Sequence, residues 1–121
     1  MLLGVKIIEF EGLGPAPFAG RMLAELGADV LVIKNDSQKE KTPKNSLLNA
    51  GKKSVFLNLK DDNDYSIALG LIKNSAAIIE GFRPGVMERL KLAPDDLKKI
   101  NKKLIYGRMT GWGQSGPRSK Q

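Results

Sequence analysis

The stretch VKIIEFEGLGPAPFAGRMLAELGADVLVI, residues 5–33, decides the fold. An apolar run predicts a β-strand over residues 5–10, and the turn EGLGPAP follows it. A helix is predicted over residues 16–26, and a second apolar run predicts a strand over residues 30–33. The helix carries four apolar residues on one face: Phe18, Met22, Leu23 and Leu26. A strand, a helix and a strand in such short succession are typical of a parallel βαβ unit.

The same alternation continues along the rest of the chain. Strands are predicted over residues 54–59, 76–80 and 104–108, and short helices at residues 86–90 and after Pro94. Asp61 or Asp62 can cap a helix that runs to Lys73. Its expected inward-facing residues are Ile67, Leu71 and Ile72. The sequence therefore predicts an α/β fold with a mostly parallel sheet and helices on both of its faces.

The composition limits the class of protein. The chain has 121 residues, of which 41% are hydrophobic and 27% are charged, as expected of one small globular domain. No apolar run approaches the ~18 to 20 residues that span a bilayer, and Glu9 interrupts the first apolar run. We therefore expect a cytoplasmic protein without a membrane partner.

Cysteine and histidine are both absent. Within these residues there is thus no thiolate nucleophile, no imidazole base and no ordinary zinc or iron site. Any acid–base chemistry would fall to carboxylates, lysines or tyrosines. The sequence assigns neither a catalytic residue nor a metal ligand.

The formal net charge of +7 predicts attraction to anions. A basic polyanion-binding module is therefore one open alternative. The basic residues are scattered, however, and the 6% aromatic content offers no stacking platform for bases. No nucleic-acid partner is expected, and most lysines are interpreted as solvated surface residues.

The loops that follow the strands are the places to search for a ligand site, because open parallel sheets bind ligands at the carboxyl ends of their strands. The first loop does not fit a dinucleotide fingerprint. GLGPAP lacks the third glycine, Pro15 and Pro17 remove amide donors, and Lys34 stands where an acidic residue would close the second strand. The loop is either a tight turn into a helix or a ligand contact of another kind.

Two groups of basic residues are candidates for phosphate recognition. Lys52 and Lys53 precede a strand, and they either contact an anion or are simply solvated. Arg83 lies in the constrained turn EGFRPG, where it could clamp a phosphate or carboxylate, pair with Glu80, or cap carbonyl groups. Arg89 is a second candidate arginine.

The segment TGWGQSGP after the last predicted strand is glycine-rich. Gly111 and Gly113 would let the backbone approach a ligand or present amide donors to it. Trp112 could stack on that ligand or cover the edge of the sheet. A plain surface loop is the alternative.

Four segments in order, GADV, GKKSVFLNLK, IIEGFRPGVMERLKLAPDDLKKIN and LIYGRMTGWGQSGPRS, resemble the amino-terminal portion of the family III CoA-transferases. The last segment is most similar to the α-methylacyl-CoA racemase branch. The resemblance implies that residues 1–121 are a single piece of a Rossmann-like large domain in a longer enzyme. It also implies an acyl-CoA thioester substrate, no further cofactor, and a homodimer or self-association.

In the racemases that the chain resembles, a histidine and an aspartate exchange the α-proton of the acyl group, whereas the transferases carry the acyl group on an aspartate. The resemblance therefore implies that this chain retains the CoA-binding portion and is inactive alone, unless a complementary carboxyl-terminal fragment supplies the bases. Asn35 and Ala50 stand where the racemases often have arginine. Lys34, Lys52 and Lys53 are expected to compensate in part.

Overall fold

The computed structural model describes residues 1–12, 15–35, 51–111 and 113–118. Within these ranges the chain alternates between strands and helices, as the sequence predicts. The elements are β1 (Lys6–Phe10), α1 (Pro15–Glu25), β2 (Asp29–Asn35), β3 (Lys53–Leu57), α2 (Asp62–Lys73), β4 (Ala77–Glu80), α3 (Val86–Arg89), α4 (Pro94–Lys98) and β5 (Ile105–Arg108). The sequence also predicts a polar loop after β2, KNDSQKEKTPKNS, and this loop falls largely on residues 36–50, outside the described residues.

The five strands form one sheet in the order β3-β2-β1-β4-β5, and every neighbouring pair is parallel. The predicted parallel α/β fold is therefore confirmed. β1 lies at the centre, and the chain builds outward first on one side of it and then on the other. The strand order reverses between β1 and β4, the position at which sheets of this type open a crevice for ligands.

Helices cover both faces of the sheet, also as predicted. On one face, Ile8, Phe10 and Ile78 pack with residues of α2, α3 and α4. On the other face, Ile7, Val30 and Ile79 pack with Ala16 of α1. β1 is buried on both sides, since only its first residue is exposed. No helix in the described part of the chain is long and apolar enough to cross a bilayer.

Helix α1 packs on the sheet through small residues. Ala16, Pro17 and Gly20 are its buried residues. Three of the four residues of the predicted apolar face are exposed instead: Phe18, Met22 and Leu26. Gly20 explains this orientation, because a side chain at this position would overlap the Glu9 carboxylate and come within 3.1 Å of Lys52 Nζ. Only a small helix face can approach the sheet closely enough here.

Helix α2 begins as the sequence predicts. Asp61 is its N-cap, and the carboxylate accepts a hydrogen bond from the backbone N–H of Asp64 at 3.1 Å. The predicted inward face is correct for Ile72, which is buried, and Leu71 is partly buried. Ile67 was expected to face inward, and this expectation is wrong because its side chain is 50% exposed. The neighbouring Ala68 takes the buried position.

A single side-chain amide joins the end of α2 to the turn before β5. Asn101 Nδ2 donates to the carbonyl oxygens of Ile72 and Ser75 at 3.0 and 2.8 Å, and to that of Lys73 at 3.3 Å. These carbonyls belong to the last turn of the helix and to the residues just after it, where no intrahelical donor is available. Asn101 therefore fixes the positions of the two segments relative to each other.

Asn101→Ala should lower the free energy of unfolding by about 1 to 3 kcal/mol, because it removes the side-chain donor to the part-buried carbonyl of Ser75 and one of the donors to that of Ile72, which also accepts from the Ser75 N–H at 3.1 Å. Asn74→Ala is the matched control, since Asn74 makes one exposed hydrogen bond to Gly70. Urea unfolding of both variants measures the difference. Equal losses in the two variants would contradict the anchoring role of Asn101.

Candidate functional site

A cavity of about 590 Å³ opens at the carboxyl edge of the sheet. Its floor is the last part of three neighbouring strands, contributed by Phe10, Ile33 and Leu57. Phe82, after β4, also lines the cavity, and its ring lies 6.1 Å from that of Phe10. The cavity thus lies at the edge and near the strand-order reversal where the topology predicts a ligand site.

The polar lining of the cavity comes from residues at strand ends. Lys34, one of the predicted phosphate contacts, lines it together with Glu11, Asn35, Asn58 and Lys60. Lys34 is only 7% exposed, and its ammonium lies 5.7 Å from the centre of the Phe56 ring. The positive charge is therefore held inside the cavity wall, close enough to influence an anion that enters it.

The predicted Arg83 turn borders the same cavity. Arg83 is exposed, and it lies between Phe82 and the cavity-lining Val86. The alternative in which it pairs with Glu80 does not describe this structure, because the Glu80 carboxylate is held by Arg108 Nε at 2.8 Å and by the Phe82 N–H at 2.9 Å. No ion pair of Arg83 is found among the described residues.

Arg89, the second candidate arginine, is the last residue of α3 and is also exposed. Its guanidinium turns back toward the Arg83 turn: Nη1 lies 3.3 Å from where a side chain at Gly85 would begin. Gly85 has φ +94°, a left-handed conformation that favours glycine. Glycine here thus allows both the turn and the close approach of Arg89.

Arg108 is a central residue of this edge that the sequence analysis did not single out. Besides Glu80, it binds Glu88 of α3 through two hydrogen bonds of 2.9 Å each. Its guanidinium also lies 5.5 Å from the centre of the Tyr106 ring. One side chain therefore joins the ends of β4 and β5 to the helix that carries Arg89. The only hint in the sequence is an arginine that ends a predicted strand.

The charges at this edge shift the ionisation of their neighbours. Hydrogen bonds from Arg108 lower the pKa of Glu88 from 4.5 to about 2. The same hydrogen bonds raise the pKa of Arg108. Burial raises the pKa of Tyr106, whose hydroxyl donates to the Leu92 carbonyl at 2.7 Å. Glu88 and Arg108 therefore both stay charged near neutral pH, and Tyr106 stays protonated.

Lys52 has a different environment from the one that the sequence suggested. Its ammonium donates to Glu9 Oε1 at 2.8 Å and to the Pro17 carbonyl at 2.9 Å. Both side chains of the ion pair are 1% exposed. Burial raises the pKa of Glu9, although the hydrogen bond from Lys52 opposes that change. Phosphate binding by Lys52 remains a prediction that this geometry does not favour, because the ammonium group already binds Glu9 and the Pro17 carbonyl.

Lys53 lies at the far end of the sheet. It is the first residue of β3, paired with Leu31, and its ammonium lies 3.9 Å from a carboxylate oxygen of Asp29. Its side chain is 78% exposed. The cavity is at the other end of the strands, so the predicted contact of Lys53 with the same ligand is likewise not favoured by the geometry.

The glycine-rich segment follows β5 on the carboxyl edge. Gly111 and Gly113 are exposed, and the Gly113 N–H donates to the Thr110 hydroxyl at 2.8 Å. Gly113 has φ +83°, a left-handed conformation that favours glycine, and the approach of this backbone to a ligand stays a prediction. The predicted contact of Trp112 lies outside the described residues. In the described parts of the chain, no group of three or more acidic side chains could hold a metal ion.

A parallel sheet with helices on both faces and a cationic cavity at its carboxyl edge defines a Rossmann-like ligand-binding domain. The sequence profile of the CoA-transferase family III matches residues 2–121. The chain therefore belongs to the CoA-transferase family III.

Known proteins are similar to this chain in both sequence and structure. The human α-methylacyl-CoA racemase is 39% identical over 115 residues, which are 95% of this chain and 29% of that protein. The acetyl-CoA:oxalate CoA-transferase of Acetobacter aceti is 35% identical over 94% of this chain and 32% of its own length. A hypothetical protein from Mycobacterium tuberculosis superposes with a TM-score of 0.89 at 34% identity, covering 99% of this chain and 36% of that one. The chain thus spans about a third of the length of these relatives.

The Arg108–Glu88 pair makes a prediction about pH. A carboxyl group whose pKa is lowered on folding contributes stability that is present above its unfolded value and is lost as the pH falls through its folded value. For Glu88 that window extends from pH 4.5 down to about 2. Glu88→Gln should therefore be less stable than the parent at neutral pH, and the difference in unfolding free energy should shrink across this window.

Urea titrations at about pH 6 and about pH 3 measure this difference. Glu25→Gln is the matched control, because it removes an exposed carboxylate that pairs with Arg21 alone. A Glu88→Gln deficit that is the same at both pH values would contradict the pairing described here.

Proposed function

We propose that this chain forms the coenzyme A-binding part of an enzyme that acts on acyl-CoA thioesters, of the α-methylacyl-CoA racemase type. The observation that carries the proposal is the position of Arg83. It is exposed on a glycine- and proline-containing turn beside the cavity, and the carboxylate that could have neutralised it is bound to Arg108. The 39% identity to the human racemase supports the choice of ligand class.

The cavity offers what the two chemically different parts of coenzyme A require. Phosphates need charge-assisted donors, and Arg83 and Arg89 can supply them at the rim while Lys34 adds charge in the wall. The adenine ring and the methyl and methylene groups of the pantetheine arm need apolar contacts, and Phe82, Val86 and Leu90 line that side. The volume of about 590 Å³ is in the range of ordinary small-molecule sites.

We place the residues that move the α-proton outside these 121 residues. Racemisation at the α-carbon of a thioester needs a base on each face, within hydrogen-bond reach of the proton. The chain has no histidine, and in its described part Glu11 is the one carboxylate that lines the cavity, so no opposed pair of carboxylate bases is present there. The proposed role of residues 1–121 is therefore to bind and orient the substrate as one domain, in a homodimer or with a complementary carboxyl-terminal fragment, in the cytoplasm.

A CoA-transferase is the second candidate, favoured by the 35% identity to the acetyl-CoA:oxalate CoA-transferase. Both kinds of enzyme bind an acyl-CoA, so a binding measurement does not distinguish them. The reaction that the assembled enzyme catalyses does. The assembled enzyme would exchange the α-proton of a 2-methylacyl-CoA for deuterium if it is a racemase. A transferase would instead move coenzyme A between two carboxylic acids.

The test of the binding proposal is calorimetric titration of the purified protein with coenzyme A at low and at physiological salt. The affinity should fall as salt rises, because the contacts are ionic. Arg83→Ala should weaken binding by about ten- to a hundred-fold, the loss expected for one charge-assisted hydrogen bond to a phosphate.

Arg21→Ala is the matched control, since Arg21 lies on α1 in an exposed pair with Glu25. It should leave the affinity unchanged. Equal weakening by both substitutions would contradict the assignment of Arg83 to the binding site. The absence of any binding heat when coenzyme A is added to the parent protein would contradict the proposed function.

A further inference from the structure

The amino edge of the sheet, opposite the cavity, gathers lysines that are scattered in the sequence. Parallel strands place the first residues of β1 and β3 there, together with the end of α2 and the turn from α4 into β5. The hydrogen bonds of Asn101 hold that turn against the end of α2. Seven exposed lysines result, here called the amino-edge lysines: Lys6, Lys53, Lys73, Lys98, Lys99, Lys102 and Lys103.

Few carboxylates oppose this charge. Asp29 begins β2 beside Lys53, and Glu25 ends α1 in its pair with Arg21. Other acidic side chains lie toward the carboxyl edge, for example Asp61 at the start of α2 and Glu88 in α3. Among the described residues, the fold therefore separates charge along the strand direction, with an excess of lysines on one edge.

Large apolar side chains are exposed among these lysines. Ile105, at the start of the edge strand β5, is 69% exposed, and Leu3 before β1 is 85% exposed. Leu26, just after α1, is 44% exposed, and its carbonyl accepts a hydrogen bond from the Leu2 N–H, which keeps the amino terminus at this edge. Lysines interspersed with exposed apolar side chains are the composition of a surface that binds the interface of an anionic bilayer.

The amino edge fits nucleic acid less well. The seven cations named above are all lysines, and Arg21 of α1 is paired with Glu25, so these cations offer no guanidinium to bind a phosphate or a base edge in bidentate fashion. In the described part of the chain the aromatic rings lie elsewhere, with Phe10 and Phe82 at the cavity and Tyr65 in the first turn of α2. Ammonium groups act as point charges, which suits a surface of lipid headgroups without fixed geometry.

We propose that the amino edge binds the surface of a bilayer that contains anionic phospholipid. The lysines supply attraction to the headgroups, and Ile105 and Leu3 reach the boundary with the acyl chains. No membrane partner was expected because no segment spans a bilayer, but surface binding requires no such segment. In this orientation the carboxyl-edge cavity faces away from the membrane. The proposal does not depend on coenzyme A binding.

Co-sedimentation of the purified protein with vesicles tests the proposal. At about 0.1 M salt the protein should bind phosphatidylcholine vesicles that contain about 30% phosphatidylserine, and not pure phosphatidylcholine vesicles. Lys102→Gln combined with Lys103→Gln should lower the partition coefficient at least about tenfold, since each lysine near an anionic surface contributes about fivefold. Ile105→Ser should lower it without changing the charge.

The matched control combines Lys60→Gln with Lys91→Gln, which removes two exposed lysines away from the amino edge. It should leave vesicle binding nearly unchanged, with circular dichroism confirming that all variants are folded. Three results would overturn the proposal: no binding to the anionic vesicles, equal loss in the two double variants, or tighter binding to duplex DNA than to the vesicles at the same salt.

Discussion

Parallel strand pairing is the constraint on which the rest of this structure depends. Because all five strands run in the same direction, each one ends at the same edge of the sheet. Residues far apart in the chain, such as Phe10, Ile33 and Leu57, therefore meet around one cavity. The same constraint brings the strand beginnings together at the other edge. The candidate ligand site thus lies on one surface of the protein, and the amino-edge lysines lie on the opposite surface.

Two buried carboxylates on neighbouring strands are neutralised in ways that shape the site. Glu80 is bound by Arg108, which leaves Arg83 available on the adjacent turn. Glu9 is bound by Lys52, which removes that lysine from the surface and requires the close approach of α1 at Gly20. A buried ion pair adds little net stability. The loss of either partner, however, leaves an unpaired charge in the interior and lowers the free energy of unfolding strongly. These pairs therefore fix which cations remain free for an anionic ligand.

Local pattern in the sequence predicted the elements well, because hydrophobic periodicity and capping are properties of neighbouring residues. The βαβ unit of residues 5–33 and the Asp61 cap are examples. The pattern could not reveal which helix face packs inward. Phe18 and Met22 are more apolar than Gly20, yet the small face packs on the sheet because an ion pair lies beneath it.

Ion pairs between residues far apart in the sequence could not be predicted from the sequence either. Lys52 and Glu9 are 43 positions apart, and Arg108 and Glu80 are 28 positions apart, so nothing in the local sequence of either partner indicates the other. Arg83 could be chosen as a candidate because its turn follows a recognisable buried strand, and its contact with an anionic ligand stays a prediction. The amino-edge lysines were interpreted as scattered because only the strand order brings them together.

The central claim is that the two edges of the sheet have separate functions and that coenzyme A binds at the carboxyl edge. Backbone amide chemical-shift mapping with added coenzyme A tests it most directly. The account predicts shifts in the turn of residues 81–85 and in residues 109–113, with the turn of residues 99–103 unchanged. Shifts concentrated in residues 99–103 would contradict the account.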